Sequence, residues 1–141
     1  MCHAGFWPFD DDMTQPTLGL SVQTDPLNET WIALDLETTG LSHRSDEIIE
    51  VGAVRFRGDE VLDTFETLVN PDRRLSRFIV GLTGIHQTDV DGAPSFAEIS
   101  GQLLTFLGST PLVGHNVEFD LGFLRSKGLV LPNPACDTWE L

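Results

Sequence analysis

Two carboxylates close an apolar run in Trp31-Ile32-Ala33-Leu34-Asp35-Leu36-Glu37-Thr38-Thr39-Gly40. Side chains alternate along a strand, so Asp35 and Glu37 share one face and Ile32, Leu34 and Leu36 take the other. Two acids held together repel and resist desolvation. A divalent cation relieves both costs, and Mg²⁺ or Mn²⁺ prefers such oxygen ligands. A second group of suitable residues follows at Gly114-His115-Asn116-Val117-Glu118-Phe119-Asp120. His115 and Asn116 stand where a short apolar strand gives way to a helix. Asp120 lies in that helix's first turns, where the dipole favours a negative charge. It is placed to offer a third carboxylate to metals held by Asp35 and Glu37.

The elements that must position these residues are legible in outline. Strands are predicted over 31–37, 48–57 and 60–69, with Gly58-Asp59 as a hairpin turn between the last two. Asn70-Pro71-Asp72 ends the third. Residues 76–83 predict a short helix closed by Gly84. Residues 95–107 predict an amphipathic helix, with Ser95 and Glu98 as a capping box and Phe96, Ile99, Leu103, Phe106 and Leu107 as the apolar stripe. Pro111-Leu112-Val113-Gly114 reads as a buried strand. A last helix spans 117–127 and ends at Gly128, with Val117, Leu121 and Leu124 on one side. The order β-β-β-α-α-β-α is mixed α/β. Residues 1–29, with Asp10-Asp11-Asp12 and no periodicity, read as a loosely ordered or disordered leader.

The composition limits the function. With 22 acidic and 8 basic residues the chain carries a net charge of −14. It cannot hold nucleic acid by a general basic surface; binding has to be local, where metal ions neutralise acids or beside Arg73, Arg74 and Arg77. No apolar run reaches the length of a membrane span, and the first residues lack the pattern of a secretory signal. Cys2 and Cys136 are too few and too far apart in sequence for a disulfide framework or a zinc site. A cytoplasmic location is the default.

Leu34-Asp35-Leu36-Glu37-Thr38-Thr39-Gly40-Leu41 resembles the first motif of the DnaQ-like DEDD exonucleases, of the DEDDh type. His115-Asn116-Val117-Glu118-Phe119-Asp120 resembles their second motif, and Glu47–Val54, Leu82–Ile85 and Ala93–Phe96 resemble intervening segments in the same order. The nearest-looking members are the proofreading subunit of the replicative bacterial polymerase and the exonuclease domain of DinG-type helicases. The resemblance covers about residues 31–141. It implies a ribonuclease-H-like fold, a mixed sheet with three leading antiparallel strands and flanking helices. It also implies two Mg²⁺ (or Mn²⁺) ions and hydrolysis of the terminal phosphodiester at a nucleic-acid 3′ end to nucleoside 5′-monophosphates. Asp35, Glu37 and Asp120 would then be the catalytic metal ligands. Thr38, Gly40, Leu41, His115, Asn116 and Phe119 would line the substrate pocket. DNA is the favoured substrate, although no residue reports on a 2′-hydroxyl.

The family's third motif, a His followed by an Asp, is absent. Residues 30–141 therefore read as the N-terminal part of an exonuclease domain, truncated at its C-terminal side and weakly active by itself. The implied partners are a DNA polymerase or a fused helicase. The competing reading is a non-catalytic binding module that has kept the fold.

Overall fold

In a computed structural model of the chain, residues 28–138 are described; the leader expected over 1–29 lies almost wholly outside them. Three strands come first: β1 (Thr30–Thr38), β2 (Ile48–Arg57) and β3 (Glu60–Leu68). Helices α1 (Arg77–Thr83), α2 (Gln87–Asp91) and α3 (Phe96–Leu107) follow. The chain then runs through β4 (Leu112–Gly114), α4 (Val117–Ser126) and β5 (Ala135–Asp137). The sheet order is β3-β2-β1-β4-β5. β1 pairs antiparallel with β2 and parallel with β4, so the strand bearing Asp35 and Glu37 lies at the centre.

Local chemistry sets most boundaries. Gly58 supplies the positive φ of the β2–β3 turn and Gly84 the left-handed residue that stops α1. The Ser95–Glu98 capping box starts α3 as its spacing predicts. Two elements lie outside the sequence-based order. α2 is a single turn of five residues, and β5 is three residues long. Such pieces are too short for periodicity to register; β5 exists because Ala135, Cys136 and Asp137 pair with Leu112, Val113 and Gly114. Cys136 is buried in β5; Cys2 lies outside the described residues.

One face of the sheet carries the core. Ile32, Leu34 and Leu36 of β1 join Val51 and Ala53 of β2 against Ile99, Leu103 and Leu107 of α3 and Phe123 and Leu124 of α4. Slipping β1 by one residue would expose its three core residues, at about 2 kcal/mol each, and drive Asp35 and Glu37 into the core. The register that fills the core therefore fixes both acids on the opposite face. Ile49, Ile79, Ile85 and Val90 form a second cluster that anchors α1 and α2 beside the sheet.

Candidate active site

The acids of β1 sit as the alternation predicts: Asp35 is exposed and Glu37 half-buried, while Leu34 and Leu36 are buried. Cross-strand pairing sets Glu50 opposite Glu37, and Gly52 opposite Asp35. Glu66 of β3 lies opposite Gly52. An acidic row thus crosses three strands, and Gly52 leaves the space above Asp35 free of a side chain.

Asp120 comes to this row from α4. It is only 4% exposed. Burial pushes its carboxyl up to about 8, and the charges of Asp35, Glu37 and Asp137 add to the effect. The Glu37 carboxyl is also raised, by burial first and then by Asp35 and Glu50. Asp35 and Glu37 thus act on the buried Asp120, and Asp35 acts on Glu37, within one electrostatic environment. The donor set, all carboxylate oxygen, suits Mg²⁺ or Mn²⁺. Among the described residues, no three His, Cys, Asp or Glu side chains stand in an arrangement that would hold an ion.

The start of α4 depends on a residue outside the sequence-predicted set. Asn116, the N-cap, lies in the left-handed region at φ 61° and makes no side-chain cap; Asn tolerates that conformation better than most residues. Asp137, at the end of β5, takes over the capping. The Asn116 N–H donates to its Oδ1 at 2.8 Å and the Val117 N–H to its Oδ2 at 3.1 Å. The signal in the sequence is an acid ending an apolar triplet, Ala135-Cys136-Asp137. Gly114 lets β4 approach β1 closely: a Cβ there would lie 3.0 Å from the Leu34 carbonyl oxygen.

The loop after β1 is tied by a second unpredicted acid. Asp46 accepts from the Thr39 hydroxyl at 3.1 Å and from the Ser42 N–H at 3.0 Å. A Cβ at Gly40 would fall 2.3 Å from the Asp46 carboxylate, so Gly40 is required by space. The Thr38 hydroxyl donates to the Gly40 carbonyl at 2.6 Å. Glu47 is clamped between Lys127 and Arg73. Arg73, a sequence-based candidate for nucleic-acid contact, also donates to the Ser45 carbonyl at 2.8 Å.

Two clefts flank the acids. One, of about 320 Å³, is lined by Glu37, Thr38, Gly40, Leu41 and Phe119 together with Phe78 and Leu82 of α1. Leu41, Phe78 and Leu82 are 84%, 72% and 68% exposed, an unusual concentration of bare apolar surface beside carboxylates. Phe78 is absent from the sequence-predicted set; its signal is an i, i+4 pair with Leu82, off the line of the buried Ile79. The other cleft, of about 430 Å³, holds Asp35, Gly52, Val113, His115 and Thr138. The predicted pocket residues are thus divided: Thr38, Gly40, Leu41 and Phe119 in one cleft, His115 in the other. Asn116 lines neither and contributes its backbone. His86 opens α2, its N–H bonded to Asp89.

A family model described as an exonuclease, of the RNase T group, matches residues 32–141. The chain belongs to this exonuclease family. It is 44% identical over 119 residues to the PolC-type DNA polymerase III of Caldanaerobacter subterraneus subsp. tengcongensis, covering 82% of the chain and 8% of that protein. The PolC-type DNA polymerase III of Bacillus subtilis is 41% identical over 119 residues, 80% of the chain and 8% of the relative. The chain thus spans less than a tenth of the length of these relatives. Among solved structures, exonuclease I in its apo form superposes with a TM-score of 0.67 at 19% identity, over 80% of the chain and 30% of that protein. Exonuclease X in complex with 5′ overhanging duplex DNA gives 0.62 at 25% identity, over 77% and 59%. The fold is the ribonuclease-H-like one, as the resemblance implies. Among the described residues no helix is long and apolar enough to cross a membrane.

Proposed function

We propose that residues 30–141 form the front part of a metal-dependent 3′–5′ exonuclease domain that releases nucleoside 5′-monophosphates from a DNA end. The observation that carries this reading is Asp120, a buried acid held against Asp35, Glu37 and Asp137 and raised to about 8. A purely structural acid would find a cation or a pair of N–H donors, as Glu47 and Asp137 do. Asp35, Glu37 and Asp120 would hold two Mg²⁺ or Mn²⁺ ions. Bound there, the ions would stabilise the attacking and leaving oxygens of the displacement.

The remaining residues would position the end of the strand. Leu41, Phe78, Leu82 and Phe119 offer apolar surface to the faces of the terminal bases, which suits stacking with little base preference. Thr38 and Gly40 bring backbone close to the terminal sugar, and His115 borders the space above Asp35. The similarity to PolC-type polymerases favours a replicative polymerase as the associated machine, and with it a cytoplasmic location. A fused helicase has no comparable support.

Manganese binding followed by electron paramagnetic resonance tests the ligands without requiring activity. The chain should bind Mn²⁺, and Asp35→Ala or Asp120→Ala should weaken binding by at least about a hundredfold. Unchanged binding in both variants would refute the metal site. The chain alone should release few mononucleotides; robust release, lost in Asp35→Ala, would show that the site needs nothing after residue 141.

A further inference from the structure

The edge of the sheet farthest from β5 is a separate surface. Among the described residues β3 is paired on one side only, to β2. It runs nine residues without Pro, Lys or Arg, and its charges are all acidic, Glu60, Asp63 and Glu66, so it repels other acidic edges and leaves a basic strand as the one it can accept. Glu60 to Thr64 and Glu66 are exposed, including Val61 at 63% and Leu62 at 38%. The Val69 N–H bonds inward to the Ile49 carbonyl at 2.8 Å. By alternation, Thr64, Glu66 and Leu68 turn their backbone groups outward. Two of these outward groups are met locally. The Thr64 N–H donates to Asp63 and the Leu68 carbonyl accepts from the Thr67 hydroxyl. The N–H and carbonyl of Glu66 between them are left for a neighbour.

The two sides of this edge differ. On the core side, α3 overhangs the strand and encloses a cleft of about 490 Å³ with Phe65 and Phe106 as its apolar surface and Gly101 and Thr105 on the helix wall. Arg55 is already used there: its guanidinium lies 4.2 Å from the Phe106 ring centroid and donates to the Phe106 carbonyl at 2.7 Å. On the opposite side stands the exposed Glu66, across from Gly52 of β2. An added strand would therefore meet the Phe65–Phe106 surface on one face, where Asp63 is already paired to Arg55 at 3.4 Å, and the exposed acid Glu66 on the other.

We propose that β3 accepts an extended segment of a protein partner as a sixth strand, with apolar side chains entering the Phe65–Phe106 cleft and alternate Lys or Arg side chains facing Glu66. Backbone bonds to Glu66 would give affinity, and the two faces would give register. Charge selects against a second copy of this chain. Glu60, Asp63 and Glu66 of one β3 would stand along a single seam with the same acids of the other. Glu66 lies across Gly52 from Asp35, so the test reads amide exchange and peptide preference in metal-free buffer, and its failure is distinguishable from failure of the exonuclease reading.

The test uses blocked eight-residue peptides with the chain labelled for NMR. The probe is Lys-Val-Lys-Leu-Lys-Val-Lys-Thr; the controls are the same sequence with two residues replaced by Pro and one with Glu in place of Lys. The probe should bind at least about tenfold tighter than either control and slow exchange of the Glu66 and Leu68 amides. Glu66→Pro removes an outward N–H that an edge strand can spare, and should lower affinity about tenfold. Glu66→Lys, should the Pro variant fold poorly, should reverse the preference between the Lys and Glu peptides. Equal binding of the proline control would mean charge alone and overturn the proposal. So would binding that requires removal of residues 1–29, which would make the chain's own leader the occupant. Concentration-dependent dimers abolished by Glu66→Lys would assign the edge to a second copy instead.

Discussion

Two acidic groups a few residues apart on the chain are treated in opposite ways. Asp46 and Glu47, leading into β2, are fully engaged. Asp46 ties the turn through Thr39 and Ser42, and Glu47 is held by Lys127 and Arg73. Asp35, Glu37 and Asp120, around the end of β1, have one another for neighbours, and burial and mutual repulsion push the Glu37 and Asp120 carboxyls toward their protonated forms. The first group stabilises a loop. The second group carries the raised carboxyls, as the proposed metal site would in the absence of its cations.

The sharpest way to break this contrast is Asp120→Asn. The Asp120 pKa is raised, so the folded chain binds a proton that the unfolded chain releases between its ordinary range near 3.8 and about 8. Stability therefore falls as pH rises through that window. The Asn variant escapes this loss, and its advantage in metal-free buffer should grow from near zero at pH 4 to on the order of a few kcal/mol at pH 8. Thermal melts across pH measure it. A variant less stable than the parent at pH 8 would mean that Asp120 is a structural acid like Glu47. Added Mn²⁺ should stabilise the parent and leave Asp120→Asn nearly unmoved.

Asp137→Ala tests whether the metal acids depend on the cap. Losing the acceptor for two N–H groups should cost about 1–2 kcal/mol. Manganese affinity should drop with it, because α4 carries Asp120. A loss of stability with unchanged Mn²⁺ binding would separate the two roles. Gly40→Ala should cost about 1–3 kcal/mol, since its methyl group displaces the Asp46 carboxylate from the turn. The smallest effect belongs to Glu47→Gln, at about 1 kcal/mol or less and fading in high salt, as expected of part-exposed ion pairs. Urea titrations at two salt concentrations distinguish these last two.

Much of the site is legible in the order of residues alone. The Asp-x-Glu alternation places two acids opposite the core, and the strand-to-helix transition near Asn116 brings Asp120 to the same end of the sheet. The buried stripe of α4 is less legible. It runs through Val117, Asp120, Phe123 and Leu124, whereas apolar spacing alone proposes Val117, Leu121 and Leu124. An acid occupies a core-facing position, and a hydrophobic pattern cannot register it. Phe78 and Asp137 escape sequence reasoning because each acts on a partner distant in sequence.

The sequence by itself determined most of the strands and helices, through alternation, capping residues and glycine turns, and determined the exonuclease family through the order of its motifs. These are local properties, carried by neighbours within a few residues. Tertiary structure alone decided that β5 exists, that Asp137 rather than Asn116 caps α4, that apolar side chains from α1 line the cleft beside Glu37, and that Asp120 is buried among like charges. Each of these depends on which distant segments pair or pack. That pairing is fixed by filling one core and satisfying its backbone, and no short window of sequence contains it.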